Sequence, residues 1–179
     1  MAMARAARRA GRVDRHPEAL DAAVELTAPD GGKRCMPLAD LYRLPGKTPH
    51  IETVMRPGEL ITTGSVSSGP IARKSCYLKV RDRTSFQFPL VSAAAGLDVA
   101  DRSIRDARVA FGGVAPMPWR LTKGKAALRG QRPRRAVLER VAALAGEGAA
   151  AAGGNDYEIE LTRRAVPHAL QTVADRESL

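Results

Sequence analysis

The sequence predicts an α+β fold in which an antiparallel sheet is followed by C-terminal helices. Short runs of alternating apolar and polar residues, joined by turns rich in Gly, Pro and Asp, extend as far as Gly112-Gly113. After Pro118 the apolar residues recur at helical spacing instead. Strand and helix patterns do not alternate along the chain, which argues against parallel βαβ units.

The first part of the chain predicts a β-hairpin within residues 19–45. Val24 and Leu26 alternate with polar neighbours before a Gly-rich turn, and apolar residues resume after it. A connection punctuated by Pro and Gly follows, so we expect a second unit over residues 46–179. Residues 1–18 are basic and have no apolar pattern beyond alanine, which predicts a disordered arm.

The second unit opens with further strand patterns joined by polar turns. Alternation predicts that Leu60 and Ile61 lie on opposite faces of the first of these strands. The strands and the apolar segment are expected at residues 60–65, 76–80, 88–97 and 104–111, with turns at 81–85 and 98–102.

Three helical segments are predicted in the rest of the chain. The first carries Trp119 and Leu128, the second begins with Pro133, and the third begins near Asp156 as a candidate cap. Pro167 lies inside the third segment and is expected to kink it or to make its hydrogen-bond ladder restart.

The chain has 179 residues, of which 44% are hydrophobic, and its formal net charge is +10. This content is sufficient for a packed core, and the charge permits binding to nucleic acid, to a membrane surface or to an acidic partner subunit. Much of the excess charge lies in the N-terminal segment and at residues 129–135. Because Phe86, Phe88 and Phe111 are not interleaved with Lys and Arg, we do not expect a nucleic-acid partner.

The sequence also limits where in the cell the chain is expected and which kinds of site it can form. It contains neither an apolar run of membrane-spanning length nor a signal-sequence pattern, so no membrane span and a cytoplasmic location are expected. Cys35 and Cys76 are far apart and lack ligand spacing, so a metal site or disulfide framework is not expected. The scattered residues His16, His50 and His168 form no catalytic motif.

Lys79 is the side chain whose pattern leaves two interpretations open. On a strand, Tyr77 and Lys79 share one face, whereas Cys76, Leu78 and Val80 share the other. Lys79 therefore lies either on a solvated strand edge or beside an anionic or electron-rich ligand.

Four segments, DLYRLPG, PGELI, YLKVRDRTSFQFPLVSAAAGLDV and IRDARVAFGGVAPMPWR, resemble in sequence and order the FAD-binding medium subunit of the molybdenum hydroxylases. That family includes xanthine dehydrogenase, aldehyde oxidase and carbon monoxide dehydrogenase. The resemblance runs from about residue 19 to the C-terminus. It implies that residues 19–45 are a remnant of an N-terminal FAD-binding domain and that residues 46–179 are the C-terminal α+β domain. Since the Gly-rich segments that grip the FAD pyrophosphate have no counterpart, a truncated subunit is expected.

The resemblance implies electron transfer through FAD, from two-iron two-sulfur clusters to an acceptor. It implies partners as well: a large subunit that binds molybdopterin and a small iron–sulfur subunit. Carried over onto the matching motifs, it puts Met55, Leu60 and Ile61 near the flavin, Lys79 close to its ring, and Phe88 in apolar contact with it. The alternative is a docking or assembly module of such a complex that holds no flavin.

Overall fold

The computed structural model describes residues 19–67, 69–83, 87–151 and 153–177. The predicted basic arm lies outside the described residues and stays a prediction. Antiparallel strands come first along the described chain and helices dominate its end, which confirms the predicted α+β class.

The predicted hairpin forms two strands of a three-stranded antiparallel sheet, in the order β2-β1-β3. Val24 and Leu26 are buried in its small core, while the alternate residues of their strand are partly exposed. The elements of this first unit are β1 (Ala23–Thr27), β2 (Lys33–Pro37), the one-turn helix α1 (Leu38–Leu41) and β3 (Leu60–Ser65).

Strand β3 pairs with the hairpin, although the sequence analysis placed residues 60–65 in the second unit. Leu60 lies opposite Thr27 and Ser65 lies opposite Ala23 in the β1–β3 ladder. All of β3 is exposed. Alternation within a strand cannot specify which distant strand it joins. The division of the chain at residue 45 itself stays a prediction.

The second sheet has four antiparallel strands in the order β4-β5-β6-β7. They are β4 (Ser75–Val80), β5 (Val91–Ala100), β6 (Ser103–Gly112) and β7 (Trp119–Arg120), and the one-turn helix α2 (Pro70–Arg73) precedes them.

The strands predicted at 76–80 and 104–111 are therefore confirmed. The apolar segment becomes a strand only at Val91. The turn that follows it shortens to Asp101 and Arg102, because pairing with β6 extends β5 to Ala100. The predicted polar turn at 81–85 lies partly outside the described residues.

The C-terminal helices are α3 (Thr122–Leu128), α4 (Arg135–Leu144) and α5 (Asp156–Glu177). Two predicted boundaries are wrong. Trp119 and Arg120 pair with β6 instead of starting a helix, and α4 begins two residues after Pro133 because Arg134 is extended. Pro167 lies inside α5, which continues on both sides of it.

The main core lies between the second sheet and α5. Buried residues of α5, among them Val166 and Leu170, pack against Ala95, Leu97 and their neighbours in β5. Phe111 of β6 stacks on Trp119 with ring centroids 5.5 Å apart. We call this the inner face of the second sheet and the opposite side its outer face. The outer face carries Ala94 and Ala110, which are buried against Ala19 and Tyr77.

No helix among the described residues is long and apolar enough to span a membrane. Within the same residues no group of His, Cys, Asp and Glu has the geometry to hold a metal ion. Cys35 and Cys76 are free thiols.

Candidate functional site

The structure divides the five predicted site residues between the two units. Met55 is half-buried and packs against the core of the first unit, so its side chain supports the fold. Leu60 and Ile61 begin β3 in that same unit. Lys79 lies in β4 and Phe88 just before β5, both in the second unit. Their contacts with a flavin stay predictions.

Three of these five side chains are apolar and open to solvent. The exposed fractions are 64% for Leu60, 41% for Ile61 and 64% for Phe88. Each square ångström of apolar surface left in water forgoes about 25 cal/mol. An exposed patch of large apolar side chains is typical of a surface that binds a ligand or a partner. Leu60 and Ile61 are consecutive in β3 and therefore lie on opposite faces of it, so each face of the strand start carries one of these exposed side chains.

The start of β3 is fixed by an ion pair between the buried Glu59 and the half-buried Arg34. Glu59 is only 3% exposed. Arg34 of β2 donates from Nε to Glu59 Oε1 at 2.8 Å and from Nη2 to Oε2 at 2.7 Å. The backbone N–H of Arg56 donates to Oε2 at 2.6 Å, and Arg34 Nη2 also donates to the carbonyl of Val54 at 3.0 Å. Both oxygens of the buried carboxylate therefore accept charge-assisted hydrogen bonds, as burial of a charged group requires.

This pairing shifts the titration of Glu59. Hydrogen bonds from Arg34 and then from the Arg56 backbone lower its pKa from 4.5 to about 2. Glu59 therefore remains a carboxylate at every ordinary pH, and the ion pair holds the Pro57-Gly58 turn against β2. Gly58 has φ +83°, and a Cβ there would lie 2.6 Å from the ring of Pro29. The first three residues of the PGELI motif are therefore structural.

Lys79 lies on the outer face of the second sheet, as the alternation in β4 predicts. Cys76, Leu78 and Val80 pack into the main core on the inner face, while Tyr77 packs on the outer face. Lys79 Nζ donates to the backbone carbonyl of Gln87, the residue before Phe88. Lys79 and Phe88 are therefore brought together at one end of the β4–β5 pair.

Sequence reasoning used the Leu and Ile of the PGELI motif but missed its Glu. The available signal is a carboxylate between a Pro-Gly turn and an exposed strand. Its partner Arg34 lies 25 residues earlier, on a strand that does not even pair with β3. No local pattern connects the two residues.

Comparison with known proteins gives one family match. The family model described as the CO dehydrogenase flavoprotein C-terminal domain matches residues 76–173. The matched region contains β4 to β7 and most of the C-terminal helical layer.

A curated relative is the aldehyde oxidoreductase FAD-binding subunit PaoB of Escherichia coli, which is 50% identical over 109 residues. These residues are 61% of this chain and 33% of the relative, so the chain spans about a third of the relative's length.

Solved structures share the fold at lower sequence identity. Quinoline 2-oxidoreductase from Pseudomonas putida superposes with a TM-score of 0.78 at 20% identity, over 90% of this chain and 55% of that one. Reconstituted CO dehydrogenase from Oligotropha carboxidovorans gives a TM-score of 0.77 at 23% identity, over 91% of this chain and 56% of that one. The likeness covers both sheets, since it extends over nine-tenths of the chain.

Proposed function

The chain belongs to the CO dehydrogenase flavoprotein C-terminal domain family, and from this membership we propose that it forms the flavin-facing part of a FAD-binding electron-transfer subunit. The enzyme would be a molybdenum hydroxylase, whose large subunit carries molybdopterin and whose small subunit carries two-iron two-sulfur clusters. PaoB, half identical over the shared region, is named as a FAD-binding subunit of an aldehyde oxidoreductase. Because the chain spans a third of that relative, the activity, the partners and the cytoplasmic location are all part of the proposal.

The observation that carries the proposal is the exposure of Leu60 and Ile61 at the start of a strand that the Glu59–Arg34 ion pair anchors. A strand that presents large apolar side chains to solvent on a rigid base suits a flat aromatic ligand. The isoalloxazine ring of FAD is such a ligand, and when bound it supplies the one- and two-electron chemistry of the subunit. The residues present therefore fit the ring of FAD.

The roles of the side chains follow from their environments. Leu60 and Ile61 lie on opposite faces of β3, so one of them would pack against the ring and the other would form part of the neighbouring wall. Phe88 would add apolar surface from the second unit. Lys79 would place an ammonium group near the ring, where a cation favours the negative charge of the reduced form. Its hydrogen bond to Gln87 limits the positions that the amino group can take.

The proposal is tested by titrating the purified 179-residue chain with FAD, following flavin fluorescence and the visible absorbance retained after desalting. We expect saturable binding that is weakened by Lys79→Ala. Lys47→Ala is the matched control, because Lys47 is exposed in a loop of the first unit. Equal binding by both variants would remove Lys79 from the site.

The same titration discriminates the second candidate function. A flavin-free docking module would show no retained absorbance yet would copurify with the molybdopterin and iron–sulfur subunits when all three are coexpressed. The exposed strand β3 suits that function too, because exposed apolar surface also serves protein partners.

A further inference from the structure

The short segment at residues 19–22, directly before β1, takes part in the packing of both units. Ala19 is buried against Ala94 and Ala110 on the outer face of the second sheet. Ala22, three residues later, is buried in the core of the first unit. Among the described residues the main hydrophobic clusters of the two units have no member in common. Packing on Ala19 is therefore an apolar contact between the segment that leads into the first unit and the second sheet.

Asp21 adds an ionic contact at the same place. Its Oδ1 forms an ion pair with Arg120 Nη1 at 2.6 Å, and its Oδ2 accepts a hydrogen bond from Arg108 Nη1. Arg108 lies in β6 and Arg120 in β7, and both belong to the outer face because Ala110 pairs with Arg120. The carboxylate thus binds two adjacent strands at once.

Further ion pairs extend this contact from Arg108. Arg108 Nε donates to Asp106 Oδ2 at 3.3 Å, and Lys125 Nζ of α3 lies 2.8 Å from Asp106 Oδ1. We call the five groups Asp21, Asp106, Arg108, Arg120 and Lys125 the Asp21 network. A single exposed ion pair contributes little to stability, but a connected set with both carboxylate oxygens engaged restricts geometry.

The backbone of Asp21 also contributes to this restriction. Its φ is +55°, in the left-handed region that most residues with a side chain avoid. Asp and Asn occupy this region more readily than other residues, so the identity of residue 21 serves both the turn and the ion pairs. The direction in which the chain enters β1 is therefore set by residue 21 together with its two arginines.

We propose that Asp21 is a positioning residue: its network sets the orientation of the first unit on the outer face of the second sheet, so that two half-sites meet one ligand. One half-site is Leu60 and Ile61, and the other is Lys79 and Phe88. Lys79 lies on the same outer face as the network, which is the side on which the first unit is attached. The identity of the ligand as FAD rests on the proposed function.

The orientation is measured directly by spin-label distances in the full chain. One label is attached to Cys35, an exposed thiol in the first unit. The second is attached to a cysteine introduced by Arg163→Cys on the exposed side of α5, with Cys76→Ser to leave two labelling sites. Double electron–electron resonance then reports the distribution of distances between the units without any flavin present.

Asp21→Asn is the test variant, because Asn has the same size and the same tolerance for positive φ but no charge. Glu147→Gln is the matched control, since it removes the exposed 2.9 Å ion pair to Lys123 inside the second unit. We expect a narrow distribution in the parent and in Glu147→Gln, and a broader or shifted one in Asp21→Asn. The parent should broaden similarly at high salt, which weakens partly exposed ion pairs. An unchanged distribution in Asp21→Asn overturns the proposal.

Flavin affinity supplies the functional half of the test. If orientation matters for the ligand, Asp21→Asn weakens FAD binding roughly fivefold or more while Glu147→Gln binds as the parent does. Broadening with unchanged FAD affinity would overturn the claim that the network serves the site. A parent that binds no FAD would contradict the proposed function, and the positioning role would then be decided by the distances alone.

Discussion

The central strand of the second sheet and the edge strand of the first lie in opposite environments. β5 is buried on both faces from Val91 to Leu97, under α5 on one side and under Ala19 and α2 on the other. β3 is exposed along its whole length, and its polar contacts include those of Glu59 before it, of Thr62 with Thr27 and Glu25, and of Ser65 with the Ala23 carbonyl. Strand β5 therefore derives its stability from packing, whereas β3 presents apolar side chains that packing does not use.

The largest change in the free energy of unfolding is expected from truncating a side chain that covers β5. Leu170→Ala removes a fully buried side chain of α5 and leaves a cavity beside the sheet. We expect the free energy of unfolding to fall by about 2–5 kcal/mol. Urea unfolding followed by Trp119 fluorescence measures this directly. A loss below about 1 kcal/mol would mean that the α5–β5 interface is looser than the burial indicates.

One glycine in each strand allows the packing of β5 and β3 to be compared by the same substitution. A Cβ at Gly96 of β5 would lie 2.6 Å from Ile71 Cγ2, whereas a Cβ at Gly64 of β3 would meet nothing within 4 Å. Gly96→Ala should destabilise the chain by about 1–3 kcal/mol through overpacking. Gly64→Ala should be neutral or stabilise it by up to about 1 kcal/mol, because it restricts the unfolded chain. Thermal unfolding measures the melting temperatures of both variants. A lower melting temperature for Gly64→Ala than for Gly96→Ala would contradict the contrast between β5 and β3.

The contribution of the Glu59 carboxylate to stability should depend on pH and be lost in acid. Because the pKa of Glu59 is lowered from 4.5 to about 2, its charged form is favoured in the folded state. The stabilisation is fully present above pH 4.5 and is lost as the pH falls through about 2. Glu59→Gln lacks it, so the melting temperatures of parent and variant should differ at neutral pH and converge over that window.

The control for this pH dependence is an exposed carboxylate that pairs with a single exposed arginine. Glu160→Gln removes the exposed pair with Arg164 on α5, and its melting temperature should follow the parent at every pH. A difference between the parent and Glu59→Gln that persisted unchanged at pH 2 would show that charge is not the source of the stabilisation.

The smallest effect on stability is expected on β3 itself. Leu60→Ala removes a side chain that is 64% exposed, so unfolding should change by no more than about 0.5 kcal/mol. FAD affinity should nevertheless fall, since the side chain is part of the proposed ring contact. The same substitution at positions 60 and 170 thus separates binding from stability. If Leu60→Ala lowered the free energy of unfolding and left FAD affinity unchanged, Leu60 would serve stability and not the flavin contact.

Much of the second sheet could be predicted because its signals are local. The alternation in β4 placed Lys79 on the face opposite Leu78 and Val80, and the structure has them so. The predicted strand at 104–111 was correct because its alternation continues up to a glycine pair. Trp119 was assigned wrongly to a helix because pairing with Phe111 overrode a short segment with no strong propensity of its own.

The support of the candidate site depends on contacts that the sequence does not reveal. The motif resemblance selected Leu60, Ile61 and Lys79 from local strings of residues. It could not reveal that the first two follow a Glu59–Arg34 ion pair, because that pair joins residues 25 positions apart, one on β2 and one just before β3, and these strands are not neighbours. Met55 packs against the first core, where its neighbours come from β1 and α1, and its expected place near the flavin stays a prediction.

The sequence by itself determined the α+β class, the faces of β4 and the family, because alternation, turn residues and ordered motifs are carried by residues close together along the chain. Only the tertiary structure decided which sheet receives β3, what holds Glu59, and how the two units meet. Asp21 and Arg108 lie 87 positions apart, and nothing periodic links them. Such contacts form when separately patterned segments fold against each other, so they depend on the geometry of the whole chain.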